Sequence, residues 1–166
     1  MSNLKGLNID IVADNIDVNT KQHLPIHMGA RAVIIKDESI LLIYEQKNDM
    51  YTLPGGRIEN HESPLDTVKR EVKEETGYRI KNAKPTLVIH ETFEDSKWQH
   101  HIFLCDIDKR PTTKALTQAE KAIGFKNVCL PIKEALAVLS NHEPKTFHPH
   151  HQNILKRELI ALIHSL

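Results

Sequence analysis

The chain has 166 residues and a mass of 19.0 kDa, enough for one domain with a core that needs no disulfide or metal staple. Apolar residues make up 40% and charged residues 27%, which excludes disordered, collagen-like and membrane-spanning classes. Lys+Arg and Asp+Glu number 22 each, so no net charge draws the chain toward nucleic acid or anionic membrane, although a local basic patch stays open.

Met1 to Asp17 is rather acidic and lacks a basic-then-apolar leader pattern, so a cytoplasmic protein is expected. Leu7–Val12 reads as an opening strand at a sheet edge. Ala30–Ile35 and Ile40–Tyr44 are β-branched runs around the polar turn Lys36-Asp37-Glu38-Ser39, a hairpin pattern. Tyr51-Thr52-Leu53 is a short strand that runs into the breaker Pro54-Gly55-Gly56. Next comes a helix bounded on both sides. Ser63 caps it, Pro64 takes the first position, Asp66 completes a capping box and Gly77 stops it, so it spans about Pro64 to Thr76. Leu65, Val68 and Val72 form its burying face.

Lys84–Glu94 and Gln99–Asp108 form a second hairpin around Asp95–Trp98, with His100 and His101 on opposite faces of one strand. Val128–Leu130 is a short strand, and Pro131 opens a helix running to about Leu139. From Asn153 to Leu166, the residues Ile154, Leu155, Leu159, Leu162 and Ile163 share a face, the spacing of an amphipathic helix that covers a core. Strands paired by short turns, with three helices, give an α+β pattern with a mixed sheet. Cys105 and Cys129 are too few for a disulfide framework or zinc site and are expected in the core. His142, His148, His150 and His151 form a histidine-rich loop over 142–151 whose spacing matches no closed zinc set.

The chemistry concentrates in the central helix. At about 100° per residue, Glu71, Glu74 and Glu75 crowd one face, with Glu74 and Glu75 at about −60° and +40° from Glu71. They repel one another and oppose the helix dipole, a local conflict of the kind functional sites carry. A hard divalent cation would resolve it, and Gly55-Gly56 would let backbone approach the same place. Arg70 and Lys73 could neutralise the acids instead, so on three acids alone a solvated face with i,i+4 pairs stays open.

The spacing narrows this. Gly56, Glu62, Arg70-Glu71-Val72, Glu74-Glu75 and Gly77-Tyr78 fill every fixed position of a 23-residue pattern, 56–78, that resembles the Nudix box of the Nudix hydrolases (MutT-like). A chance match in a chain this long is on the order of one in 10⁷ at ordinary residue frequencies. Tyr78 stands where the family usually has an aliphatic residue, a mild departure at a packing position.

The resemblance implies an α/β/α sandwich around a mixed sheet, spanning 1–166 as one domain with 1–25 as an N-terminal extension or edge strand. It implies Mg²⁺-dependent hydrolysis (Mn²⁺ as substitute) of a nucleoside diphosphate linked to another moiety, by water attack on a phosphoanhydride. It also implies Glu71, Glu74, Glu75 and the Gly55 carbonyl as metal ligands, with Arg70 orienting the glutamates and Glu62 supporting the box loop. Glu74 is the first choice for the base. Glu120 is the candidate later acid, ahead of Glu91 and Glu94. Outside the box, Arg31 and Arg57 could meet phosphate, and Tyr51, Phe93 and Trp98 could stack on a base. For Arg31 an ordinary surface or edge arginine, for Arg57 a surface charge, and for the three aromatics core or turn packing stay open. The partner would be a small nucleotide diphosphate derivative, and the chain could form a homodimer. A catalytically silent nucleotide sensor is the alternative. Short markers of ADP-ribose, NADH and dinucleoside polyphosphate hydrolases are not found after the box, which leaves the leaving group open.

Overall fold

The computed structural model describes residues 6–14 and 16–166; residues 1–5 of the expected extension, and residue 15, lie outside them. The strands are β1 (Leu7–Val12), β2 (Ile26–Lys36), β3 (Ser39–Glu45), β4 (Met50–Thr52), β5 (Gly55–Arg57), β6 (Ile80–Thr92), β7 (Lys97–Ile107) and β8 (Phe125–Pro131). The helices are α1 (Pro64–Thr76), α2 (Gln118–Ile123), α3 (Ile132–Asn141) and α4 (His151–Ile163). One mixed sheet runs in the order β1-β6-β7-β2-β3-β4, with β5 also on β2 and β8 also on β3.

The β2–β3 hairpin is shorter than its sequence pattern suggests. Asp37 and Glu38 turn with φ of 48° and 59°, and only Ile35↔Ile40 and Lys36↔Ser39 pair. The strands then part. β2 runs parallel to β7 from Ile26↔Lys97 to Ile34↔Cys105 and takes β5 on its other side, while β3 pairs β4 and β8. The gap between the two halves admits the 54–57 loop and the acidic end of α1. Gly55 must be glycine there. Its φ is 146°, and a Cβ would stand 2.8 Å from the Arg31 Cα.

Alternation along β2 makes two cores. Ala30, Ala32 and Ile34 face α1, where they meet Val68 and Val72; Val33 faces the other side, with Ala135 and Leu139 of α3 and Leu155, Ala161 and Leu162 of α4. The result is a mixed sheet between helices. Among the described residues no helix is long and apolar enough to cross a membrane.

Four expectations are corrected. Leu65 is exposed, because α1 meets the sheet through Val68 and Val72. Cys105 is buried but Cys129 is exposed, since β8 pairs only with β3 and its alternate residues face outward. A fourth helix, α2, forms on a Thr117–Glu120 capping box. The buried stripe of α4 is not wholly apolar: His151, Leu155, Arg157, Glu158, Ala161 and Leu162 are buried, while Ile163 is half exposed.

Candidate active site

α1 is capped as its sequence predicts. Ser63 Oγ accepts from the Asp66 N–H at 3.1 Å, Asp66 Oδ2 accepts from the Ser63 N–H at 3.1 Å, and Gly77 closes the helix at φ 82°. The capped span fixes the rotation of the glutamates. Glu71 and Glu75 point inward and are buried, whereas Glu74 keeps about a third of its side chain exposed.

Arg70 ties the acids together. Its Nε donates to Glu62 at 2.6 Å and its Nη2 to Glu62 at 3.0 Å; its Nη1 donates to Glu71 at 2.8 Å and to Glu74 at 3.2 Å. Glu62 also accepts from Thr67 Oγ1 at 2.8 Å and from the Glu59 N–H at 3.2 Å. The Arg70 guanidinium and these donors push the Glu62 carboxyl down to about 2. Lowered from 4.5, that group adds stability in full above pH 4.5 and loses it as pH falls through about 2. A lysine cannot reproduce the fork. Arg70→Lys is therefore expected to cost about 1–3 kcal/mol, with a shallower acid decline in Tm, read by thermal melts from pH 7 to 2.

The other half of the site comes from distant sequence. The segment after β7 docks on the C-terminal end of α1. Thr112 donates to the Gly77 carbonyl through its N–H at 2.6 Å and its Oγ1 at 2.8 Å. The Ala115 N–H donates to the Glu74 carbonyl at 2.9 Å, and Asn127 Nδ2 to the Thr76 carbonyl at 3.0 Å. These donors satisfy carbonyls that a helix end leaves unpaired. They also deliver α2, where the capping box holds Glu120 by a 2.7 Å bond from the Thr117 N–H. One carboxylate oxygen each from Glu71, Glu75 and Glu120 then lies within 4.8 Å of the others. Glu75 also accepts from the Gly55 N–H at 2.9 Å. Burial is the main cause that raises Glu71 and pushes Glu75 up to about 8.

Three converging acids, two of them buried, conflict with each other unless a cation or protons intervene. An all-oxygen donor set suits a hard divalent ion. Gly56 keeps the space: a Cβ there would collide with the Glu71 carboxylate. Gly56→Ala is accordingly expected to weaken Mn²⁺ binding about tenfold or more, roughly 1.4 kcal/mol, with the circular dichroism spectrum unchanged; isothermal titration checks this.

The model of the NUDIX domain matches residues 25–157. This chain belongs to the Nudix family. Nudix proteins typically use a divalent metal, and the glutamate cluster is a donor set of that kind. The CMP-5'-(N-acetyl-N-hydroxy-3-aminopropyl)phosphonate hydrolase of Streptomyces rubellomurinus is 36% identical over 84 residues, 47% of this chain and 41% of that protein. Diphosphoinositol polyphosphate phosphohydrolase 3-alpha of Mus musculus is 31% identical over 111 residues, 66% of this chain and 64% of that protein. The chain thus spans less than two thirds of either relative. A Nudix hydrolase structure from Nitrosomonas europaea superposes with a TM-score of 0.62 at 22% identity, covering 80% of this chain and 87% of that one, a likeness of fold.

Around the Nudix cluster, the other sequence candidates divide. Arg31 of β2 is partly buried and donates its Nη1 to the carbonyls of Leu53 at 3.2 Å and Gly55 at 3.0 Å. The Gly55 carbonyl, a ligand by resemblance, is thus a partner of Arg31. Arg57 is exposed and contacts His27 Nδ1 at 3.0 Å. Tyr51 packs on Tyr44 and His142, with ring centroids 4.8 and 5.2 Å away. Glu94 is exposed and pairs with Lys21 at 2.9 Å. Phe93 and Trp98 line a cavity of about 160 Å³ together with Arg31, Glu91, His100 and Arg157. In the 142–151 loop, His142 meets the Asp49 carbonyl at 2.7 Å, and the His142–His151 and His148–His150 ring centroids are 5.8 and 6.1 Å apart.

Sequence reasoning passed over Arg157 and Glu158 and gave His100 a strand face but no role. Arg157 Nη1 donates to Glu91 at 3.1 Å, Arg157 Nη2 donates to Glu158 at 2.6 Å, and His100 Nε2 lies 2.9 Å from Glu91. Burial and the neighbouring Arg157 push the His100 imidazole down to about 3, so it stays neutral. A signal was present. Glu158 sits on the stripe 151, 155, 158, 162 of α4, and Glu91 continues the inward parity of Leu87 and Ile89; charges at core parity mark buried polar work. Lys114 was also passed over. Burial lowers its ammonium pKa while the nearby Glu75 carboxylate opposes the shift.

Proposed function

We propose that this Nudix protein is a Mg²⁺-dependent hydrolase, with Mn²⁺ as a substitute, of a nucleoside diphosphate linked to another moiety, and that it cleaves a phosphoanhydride. The convergence of Glu71, Glu75 and Glu120 within 4.8 Å, under a filled Nudix box, carries this reading. Those three carboxylates would hold the metal. When bound, it would supply charge neutralisation for the phosphates and an acidified water.

The remaining chemistry belongs to the chain. Arg70 fixes the orientation of the Glu71 and Glu74 carboxylates, because one guanidinium bonds both. Glu74, about a third exposed and outside the three-acid cluster, would accept a proton from the attacking water. Gly55 and Gly56 keep the loop close to α1 without side chains that would block phosphate. Arg31, bonded to the Gly55 carbonyl, would contribute fixed positive charge beside that loop.

The curated relatives act on different compounds, as their names state: a CMP-linked phosphonate and a diphosphoinositol polyphosphate. The test is release of phosphate, pyrophosphate or nucleoside monophosphate, with and without Mg²⁺, from nucleoside triphosphates, nucleotide sugars, ADP-ribose and diphosphoinositol polyphosphates. Turnover of one compound that is abolished by chelation supports the reading. Metal-independent turnover, or nucleotide binding with no turnover across the panel, overturns it.

A further inference from the structure

The proposed hydrolysis gives no role to 142–150, the histidine-rich segment that joins α3 to α4. This segment lies as a strap against the turn between β3 and β4, and one carboxylate fastens it. Asp49 is buried; its Oδ2 accepts from the Lys145 N–H at 2.7 Å and its Oδ1 from Tyr44 Oη at 2.7 Å. Beside it, His142 Nε2 meets the Asp49 carbonyl at 2.7 Å, and Thr146 Oγ1 donates to the Asn48 carbonyl at 2.7 Å. The Tyr51 ring of β4 stands edge-on to His142 at 5.2 Å and packs against the same fastening.

The strap leads into a trapped histidine. His151, the first residue of α4, donates its N–H to the His148 carbonyl at 3.2 Å. It is 4% exposed, and neither of its ring nitrogens has a hydrogen-bond partner. A neutral imidazole carries one N–H and one lone pair, so both are left unpaired, against the usual rule for buried polar groups. The titratable groups around it come from three directions. The His142 ring, at the end of α3, has its centroid 5.8 Å away; His148 of the strap and Asp49 of the β3–β4 turn also face it. Burial and the two histidines hold the His151 pKa below its ordinary 6.5, with Asp49 opposing. His148 is likewise lowered by burial and His150, with Glu45 of β3 opposing. Burial raises the Asp49 carboxyl, but the Lys145 N–H, Tyr44, His142 and the Lys145 charge outweigh it and hold it below 3.8.

We infer that 142–150 is an acid-released strap, closed on the β3–β4 turn while His151 is neutral and opened when His151 takes up a proton. The reason is access. Both His151 nitrogens are shut off from solvent, so a proton reaches them only after the strap lifts. An imidazolium in the closed form would face His142 and His148 with no acceptor of its own, whereas the open form hydrates it. The closed strap is therefore favoured in full above about pH 6.5 and loses that advantage as pH falls below it. Asp49 stays ionised through this range, so the fastening itself does not titrate. Opening also parts His150 from Phe93, whose rings are 4.4 Å apart in the closed form. The device depends on neither metal nor turnover and stands or falls apart from the hydrolytic reading.

The experiment is hydrogen–deuterium exchange of the whole protein at pH 7.5 and 5.5, read by peptide mass and corrected for the intrinsic pH dependence of exchange. One histidine protonated only in the open form raises the open population about tenfold between those conditions. Protection of the 142–151 amides is expected to fall by that factor, while α1 and β7 keep theirs. His151→Phe, which fills the space with a ring that takes no proton, is expected to lose most of this pH effect. His151→Gln, polar and equally unable to titrate, serves the same end if the phenylalanine variant misfolds. The readout on β7 separates His100, a second buried neutral histidine, whose protonation would loosen that strand as well. The inference is overturned if protection of 142–151 does not change with pH, if α1 and β7 lose theirs in step with the strap, or if both His151 variants open at pH 5.5 as the wild type does.

Discussion

Glu75→Gln is expected to lower Mg²⁺-dependent turnover by about 10²-fold or more, roughly 3 kcal/mol of barrier or greater, and yet to stabilise the metal-free protein at alkaline pH. The two effects share a cause. Glu75 is buried among carboxylates, and its folded pKa is raised from 4.5 to about 8. For an acid raised on folding, the native state holds the proton more tightly than the unfolded chain. Its stabilising contribution is therefore complete below pH 4.5 and disappears as pH rises through about 8. Metal-free wild type should lose thermal stability across that window, by on the order of a few kcal/mol, while the glutamine variant, with no proton to lose, should not. Mg²⁺ competes with the proton for the same oxygens and binds the folded form. Adding it at pH 8 should raise the wild-type Tm and leave the variant nearly unchanged. Thermal melts of both proteins between pH 5 and 9, with and without Mg²⁺, make the check. An equal Mg²⁺ effect on the two would remove Glu75 from the ligand set.

The second large effect is on stability. Arg157 is 5% exposed and bonds Glu91 and Glu158, which are 1% and 0% exposed. Arg157→Met keeps most of the volume but strands both carboxylates without a counter-charge. Breaking such a pair from one side costs about 3–5 kcal/mol, a fall in Tm of roughly 10 °C for a domain of this size. Adding Glu91→Gln and Glu158→Gln to Arg157→Met removes the stranded charges and should recover at least half of the loss. Differential scanning calorimetry of the single and triple variants decides it. A single variant that melts with the wild type would mean that the network contributes nothing to folding.

The local elements were readable because their causes are local. α1 begins and ends where Ser63, Pro64, Asp66 and Gly77 place it, since capping chemistry acts over three or four residues. The strand alternation of β6 and β7 and the positions of Glu71, Glu74 and Glu75 along one helix follow from residue period alone. The box also carried its chemistry in one unbroken segment, which is why the family could be recognised before any fold was known.

What required the folded chain lies where distant segments meet. The third acid of the cluster, Glu120, reaches Glu71 and Glu75 because Thr112, Ala115 and Asn127 bond the open carbonyl end of α1, contacts spanning 35 to 51 residues or so of sequence. Glu74 turns toward Arg70 and away from that cluster by its rotation on α1, which depends on Val68 and Val72 seating against β2. The cavity beside the cluster draws Arg31, Glu91, His100 and Arg157 from four elements, and α4 buries Arg157 and Glu158 where β6 and β7 offer Glu91 and His100. Capping and periodicity set each element and the face it presents. Which faces meet, and so which charges become buried partners, depends on long-range packing that no window of neighbouring residues contains.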